Sequence, residues 1–145
     1  MKITSPAFEN NQKIPSVNSC DGKGVNPPLV FEDVPENAKS LALIVEDPDA
    51  PGGTFIHWVV FNIDPKVRKI DEGSVPSGAV EGVTSSGIGF VPPCPPSGTH
   101  RYIFKLFALD NTLNLQKGAS KEEVEQAMQG HTIEQTELIG LYGRG

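Results

Sequence analysis

The chain has 145 residues, 37% of them hydrophobic, and a formal net charge of −6; that length suits one domain burying about 68–70% of its unfolded surface. The acidic balance, with a pI near 5.0, argues against sequence-independent nucleic-acid binding and against a basic membrane-surface patch, both of which need clustered Lys and Arg. Fifteen glycines and 13 prolines favour turns and extended segments over a helical bundle.

The start, MKITSPAFEN, lacks an apolar segment of signal-peptide length, and no stretch approaches a transmembrane span, so the expected location is the cytoplasm. Cys20 and Cys94 have no CxxC spacing and are too few for a disulfide scaffold. In an ordinary cytosol both are expected as free thiols, and in an intracellular protein of a hyperthermophile a bond between them is conceivable, so the sequence leaves the two states open.

In chain order, Lys2 to Thr4 predicts an edge strand stopped by Ser5-Pro6. From Asn10 to Pro28 the chain is polar and rich in Asn, Gly and Pro, which predicts a long surface loop, functional itself or pinned to a neighbouring site. Leu29 to Phe31 is a short strand. Leu41–Glu46 and Phe55–Asn62 are apolar on both alternations, so each is expected as a strand covered on both faces. Between them Asp47-Pro48-Asp49-Ala50-Pro51-Gly52-Gly53 forbids helix and ladder alike. Asp71 to Gly89 reads as a second long loop. It leads into the rigid wall Pro92-Pro93-Cys94-Pro95-Pro96, and Arg101–Leu109 is the third strongly apolar strand. One helix is expected, with Ser120 and Glu123 as a capping box, Val124, Ala127 and Met128 as its apolar stripe and Gly130 at its end. Thr132–Tyr142 has mixed periodicity and is read as a strand.

Strand ends beside rigid loops are where sites are built, and four chemistry-bearing side chains fall there: Asp47, Asp49, His57 and His100. Taken singly, each has a plain structural reading. Asp before Pro is ordinary turn chemistry, His57 can be a core histidine bonded to backbone, and His131 can satisfy the last helix carbonyls. Two histidines and a carboxylate also suit a metal, but these residues lack local ligand spacing. Nucleophile-elbow, phosphate-loop, dinucleotide and zinc-protease signatures are absent, which leaves an enzyme without an activated nucleophile. An oxyanion pocket suits the set better. Imidazole N–H groups and the Tyr102 hydroxyl can donate to phosphate oxygens, a carboxylate can fix a histidine tautomer, and a carboxylate at the mouth suits a ligand with an ammonium arm.

At these residues the chain resembles the phosphatidylethanolamine-binding proteins, which include the Raf kinase inhibitor proteins, and in particular their short bacterial and archaeal branch. The resemblance runs through Cys20-Asp21-Gly22, Asn26-Pro27-Pro28-Leu29, Asp47-Pro48-Asp49-Ala50-Pro51, His57-Trp58, Pro93-Cys94-Pro95-Pro96, His100-Arg101-Tyr102, Gly130-His131 and Tyr142-Gly143-Arg144. It implies a mostly β, antiparallel sandwich with one or two short helices. It also implies a small-anion pocket at one end, formed by Asp47, His57, His100 and Tyr102, with Asp49 (paired to Arg101) and Pro93 beside it. Implied ligands are phosphorylated headgroups, nucleotides or phosphopeptides, with no cofactor and no metal. A kinase or serine protease is the alternative partner, with the pocket anchoring its loop, and a homodimer is compatible with such a chain. One departure stands out. Where the family usually has Gly ahead of the Pro-Cys-Pro-Pro loop, this chain has Pro92, which has no N–H to offer an anion.

Overall fold

The computed structural model describes residues 1–144. Its strands are β1 (Lys2–Thr4), β2 (Gln12–Lys13), β3 (Leu29–Glu32), β4 (Ser40–Asp47), β5 (Phe55–Ile63), β6 (Lys69–Ile70), β7 (Val80–Glu81), β8 (Val83–Thr84), β9 (Gly87–Ile88), β10 (Thr99–Leu109) and β11 (Thr132–Gly143). A single α-helix, α1 (Lys121–Met128), and a one-turn 3-10 helix at Ser16–Asn18 complete the set. The main sheet has the order β2-β11-β10-β4-β5-β7, and a smaller sheet the order β1-β3-β6. Pairing is antiparallel except where β2 runs parallel to β11.

Every residue of β4 is buried, as is most of β5. The reason is the two-sided apolar pattern, which only a central strand can satisfy. On one face, Leu41, Leu43 and Val45 meet Ile3, Leu29 and Phe31 of the smaller sheet, with Trp58, Phe104 and Leu106 beside them. This is the sandwich core. On the other face, Ala42, Ile44, Val59 and Phe61 pack under Val124 and Met128 of α1 and under Leu113 and Ala119 of the segment leading to it. A fully buried side chain of this size contributes roughly 1.5–3 kcal/mol. Glu46 lies buried near the start of α1, where Lys105 (2.8 Å) and Lys121 (3.5 Å) neutralise it.

The helix starts where its sequence says it should. Ser120 Oγ accepts the Glu123 N–H at 3.1 Å, and Glu123 Oε1 accepts the Ser120 N–H at 3.0 Å. Gly130 sits beyond the end at φ 81°, a conformation that glycine adopts without a Cβ penalty. His131 does not cap the helix through its ring. Its Nδ1 bonds Asp110 at 2.7 Å, and only its backbone N–H returns to Met128.

Two expected loops carry more structure than their composition suggests. Residues 71–89 contain β7 and the β8–β9 hairpin, with β7 extending the main sheet at its edge. The 10–28 segment contributes β2 and buries Asn18, Ser19 and Asn26. Short edge pairings of this kind leave almost no periodic signal, because two residues cannot show an alternation. Replacing Ser120 by Ala is expected to lower the unfolding free energy by about 1 kcal/mol in chemical denaturation, through loss of the cap.

Candidate functional site

The site begins at the last residue of β4. Asp47 is 3% exposed and spends both carboxylate oxygens. Oδ1 accepts the Asp49 N–H at 2.8 Å, which tightens the Asp47-Pro48-Asp49 turn, and Oδ2 accepts Nδ1–H of His100 at 2.7 Å from the neighbouring β10. Asp49 stands at the rim. Its two oxygens take the backbone N–H, Nε and Nη2 of Arg101 at 2.8–2.9 Å. The Arg101 guanidinium holds the Asp49 carboxyl down at about 2. Both carboxylates are thus already engaged by groups of the protein.

His57 reaches the same place by a local irregularity. In the β4–β5 ladder Val45 pairs with Trp58 and Glu46 with Ile56, so His57 has no partner on β4. This is a bulge, which re-aims a side chain that strict alternation would send to the opposite face. Without it, His57 would share the face of Val59 and Phe61 under the helix. Instead it stands edge-on to Tyr102, ring centroids 5.1 Å apart, and against Phe55 at 4.7 Å. Its Nδ1–H donates to the Val91 carbonyl at 2.7 Å, and the Val91 N–H returns to the His57 carbonyl at 2.8 Å. Burial lowers the His57 pKa below its ordinary 6.5, against the opposing effects of the Val91 bond and of Asp47.

The proline wall closes the third side. Its anchor is a disulfide between Cys20 and Cys94, Cα atoms 5.4 Å apart across 74 residues of sequence. The Cys20 N–H also donates to the Pro93 carbonyl at 3.0 Å. Of the two states that the sequence leaves open, free thiols or a bond, the structure has the bond. The 10–28 segment and the wall run side by side, which no spacing of two cysteines announces. Both half-cystines are exposed.

Together these elements enclose a cavity of about 350 Å³ lined by Asp47, His57, His100 and Tyr102, with Phe55 and residues of the wall. Each histidine has committed Nδ1 to the protein, leaving Nε2 as its free nitrogen, and no protein partner meets either Nε2 among the described residues. Tyr102 keeps its proton, since burial, and then Asp47, push its pKa upward. Of the six expected residues the structure brings four to the cavity. Asp49 is at the rim, and Pro93 is buried behind the wall against Ile14, Val45 and Tyr102. No grouping of three or more His, Cys, Asp or Glu fit to hold a metal ion occurs among the described residues. No helix among them is long and apolar enough to cross a membrane.

The family model for phosphatidylethanolamine-binding protein matches residues 4–143. The chain belongs to this family. It is 50% identical over 151 residues to the UPF0098 protein of Methanothermobacter thermautotrophicus, a match spanning all of both chains. It is also 51% identical over 154 residues to a UPF0098 protein of Pyrococcus abyssi, covering 99% of this chain and 86% of that one. Among solved structures, a PEBP homolog from Chlamydia trachomatis superposes with a TM-score of 0.95 at 46% identity, covering 99% of this chain and 97% of the other. E. coli YbcL, a member of the mammalian PEBP family, gives 0.92 at 30% identity, covering 99% and 98%.

Within the PEBP family frame, Pro92 fills a defined place. It lines the cavity and its ring lies over Gly24, where an added Cβ would meet Pro92 Cγ at 3.2 Å. The wall offers shape at this point and no donor. Sequence reasoning missed Val91, whose carbonyl fixes the His57 tautomer, because any residue supplies a carbonyl. It also missed Phe55, a pocket wall residue that reads as ordinary strand.

Two consequences can be measured. Replacing both Cys20 and Cys94 by Ser is expected to cost about 2–4 kcal/mol of stability, seen as a lower denaturation midpoint. The depressed Asp49 pKa contributes stability that is present above 3.8 and lost as pH falls through about 2. Arg101 is 53% exposed, so solvent screening holds that contribution below about 1 kcal/mol. Wild type should therefore lose its small advantage over Asp49→Asn between pH 3.8 and 2, in parallel thermal melts.

Proposed function

We propose that this PEBP-family protein binds a small phosphorylated or otherwise anionic ligand in the cavity between His57 and His100. The observation that supports this reading is the pair of imidazoles with Nδ1 committed, one to a carboxylate and one to a carbonyl, and Nε2 left for a ligand in one cavity. In this reading both histidines meet the oxyanion through Nε2, and Tyr102 adds its hydroxyl. Asp47 acts through His100, whose ring it orients by holding Nδ1–H. The rigid surroundings of β4, β5 and β10 keep these groups in place before the ligand arrives, which reduces the ordering cost of binding.

The site is read as a binding pocket and not as a catalytic one, because no activated nucleophile stands in it. His57→Ala is expected to abolish phosphate and phosphoethanolamine binding in calorimetry while the variant still melts cooperatively; unchanged affinity would overturn the assignment. Tyr102→Phe should weaken phosphate binding about tenfold, the worth of one hydrogen bond to a charged acceptor.

A further inference from the structure

The proline wall has almost no backbone means of holding its own shape. Pro92, Pro93, Pro95 and Pro96 surround Cys94, and proline has no N–H to donate. Among the described residues, one hydrogen bond reaches this run, from the Cys20 N–H to the Pro93 carbonyl at 3.0 Å. Pro93 and Pro95 are buried, whereas Pro92, Cys94, Pro95 and Pro96 all line the cavity. The other half of the disulfide stands on firmer ground. Asp21, next to Cys20, accepts the Tyr142 hydroxyl at 2.6 Å and the Arg144 guanidinium at 3.0 Å, which fastens that turn to the end of β11. The turn is also packed so closely that a Cβ added at Gly22 would collide with the Ser16 carbonyl. The Cys20–Cys94 bond therefore joins a fixed post to a wall that has little else to hold it.

Resting on the anion-pocket reading above, we propose that the Cys20–Cys94 bond is a redox-controlled fastener of the cavity wall, so that the pocket holds its ligand tightly when the bond is intact and weakly once a dithiol has reduced it. Both half-cystines are exposed, and exposed disulfides are the readily reduced ones. A thiolate of the dithiol attacks one sulfur and the Cys20–Cys94 S–S bond breaks. The reductant's second thiol then displaces the mixed disulfide. Two electrons and two protons pass to the protein, which gains two thiols, and the reductant leaves as a cyclic disulfide. The wall then keeps its buried prolines and a single hydrogen bond, and its lining residues are no longer fixed against the cavity. A ligand must order them on binding, a cost that a preformed wall avoids. The bonds of His57 to Val91 and of His100 to Asp47 involve neither cysteine, so the change falls on affinity and leaves the polar end of the pocket in place.

The test is calorimetry with inorganic phosphate on the wild-type protein with the bond intact, after reduction by dithiothreitol, and after reoxidation, with free thiols counted at each stage. Affinity should fall about fivefold or more on reduction and return on reoxidation, while the reduced protein still melts cooperatively. Cys20→Ser/Cys94→Ser should bind phosphate as weakly as the reduced wild type and show no response to dithiothreitol. Equal affinity with the bond intact and cut would overturn the inference and leave the anion pocket standing. So would a bond that dithiothreitol does not reduce in the folded protein. A reduced protein that is unfolded at the assay temperature would overturn it too, since the bond would then serve stability alone. Absence of phosphate binding by the wild type with its bond intact would overturn the anion-pocket reading as well. The wild-type series decides the question even where the double variant does not fold.

Discussion

Asp47 ties the two halves of the site together. One carboxylate oxygen closes its own turn onto Asp49, and the other reaches across the sheet to His100. The carboxylate is almost wholly buried, a placement tolerated only when the charge is hydrogen-bonded on both oxygens. That requirement couples the turn after β4 to the start of β10. The rim pair of Asp49 and Arg101 repeats the same link one step further out, where solvent weakens it.

The main sheet turns this local link into a cavity. β4 lies between β5 and β10 in the sheet order, so Asp47 is flanked by His57 on one side and by His100 and Tyr102 on the other. The bulge in β5 is the second requirement, because it turns His57 towards Tyr102 and away from the helix layer. The third is the disulfide, which ties the wall to the 10–28 segment and leaves Val91 where His57 Nδ1 can reach it. Rigid strands on two sides and a proline wall on the third make a pocket that exists before any ligand does.

The shared hydrogen-bonding of the two histidines sets the chemistry of that pocket. Both present Nε2 with Nδ1 already engaged, yet their partners differ: an ionisable carboxylate for His100 and a neutral carbonyl for His57. Burial favours the neutral form of the His57 ring, and the Val91 carbonyl opposes it. Two residues of one type thus meet a ligand with different partners standing behind them.

By itself the sequence determined a good deal. The two-sided apolar runs of β4 and β5, the turn between them, the capping box of α1 and the family motifs were all legible, because each is a local pattern that fixes backbone or burial over a few residues. Even the pairing of Asp49 with Arg101 followed from the resemblance. Only the tertiary structure decided which face His57 occupies, since a single unpaired residue in a ladder has no composition of its own. Nor could sequence show that Val91 supplies the carbonyl, that Cys20 and Cys94 are bonded, that Pro93 stands behind the cavity, or that both carboxylates are already occupied. These depend on which distant segments come within hydrogen-bond or covalent reach, and residue identity constrains that only through the fold as a whole.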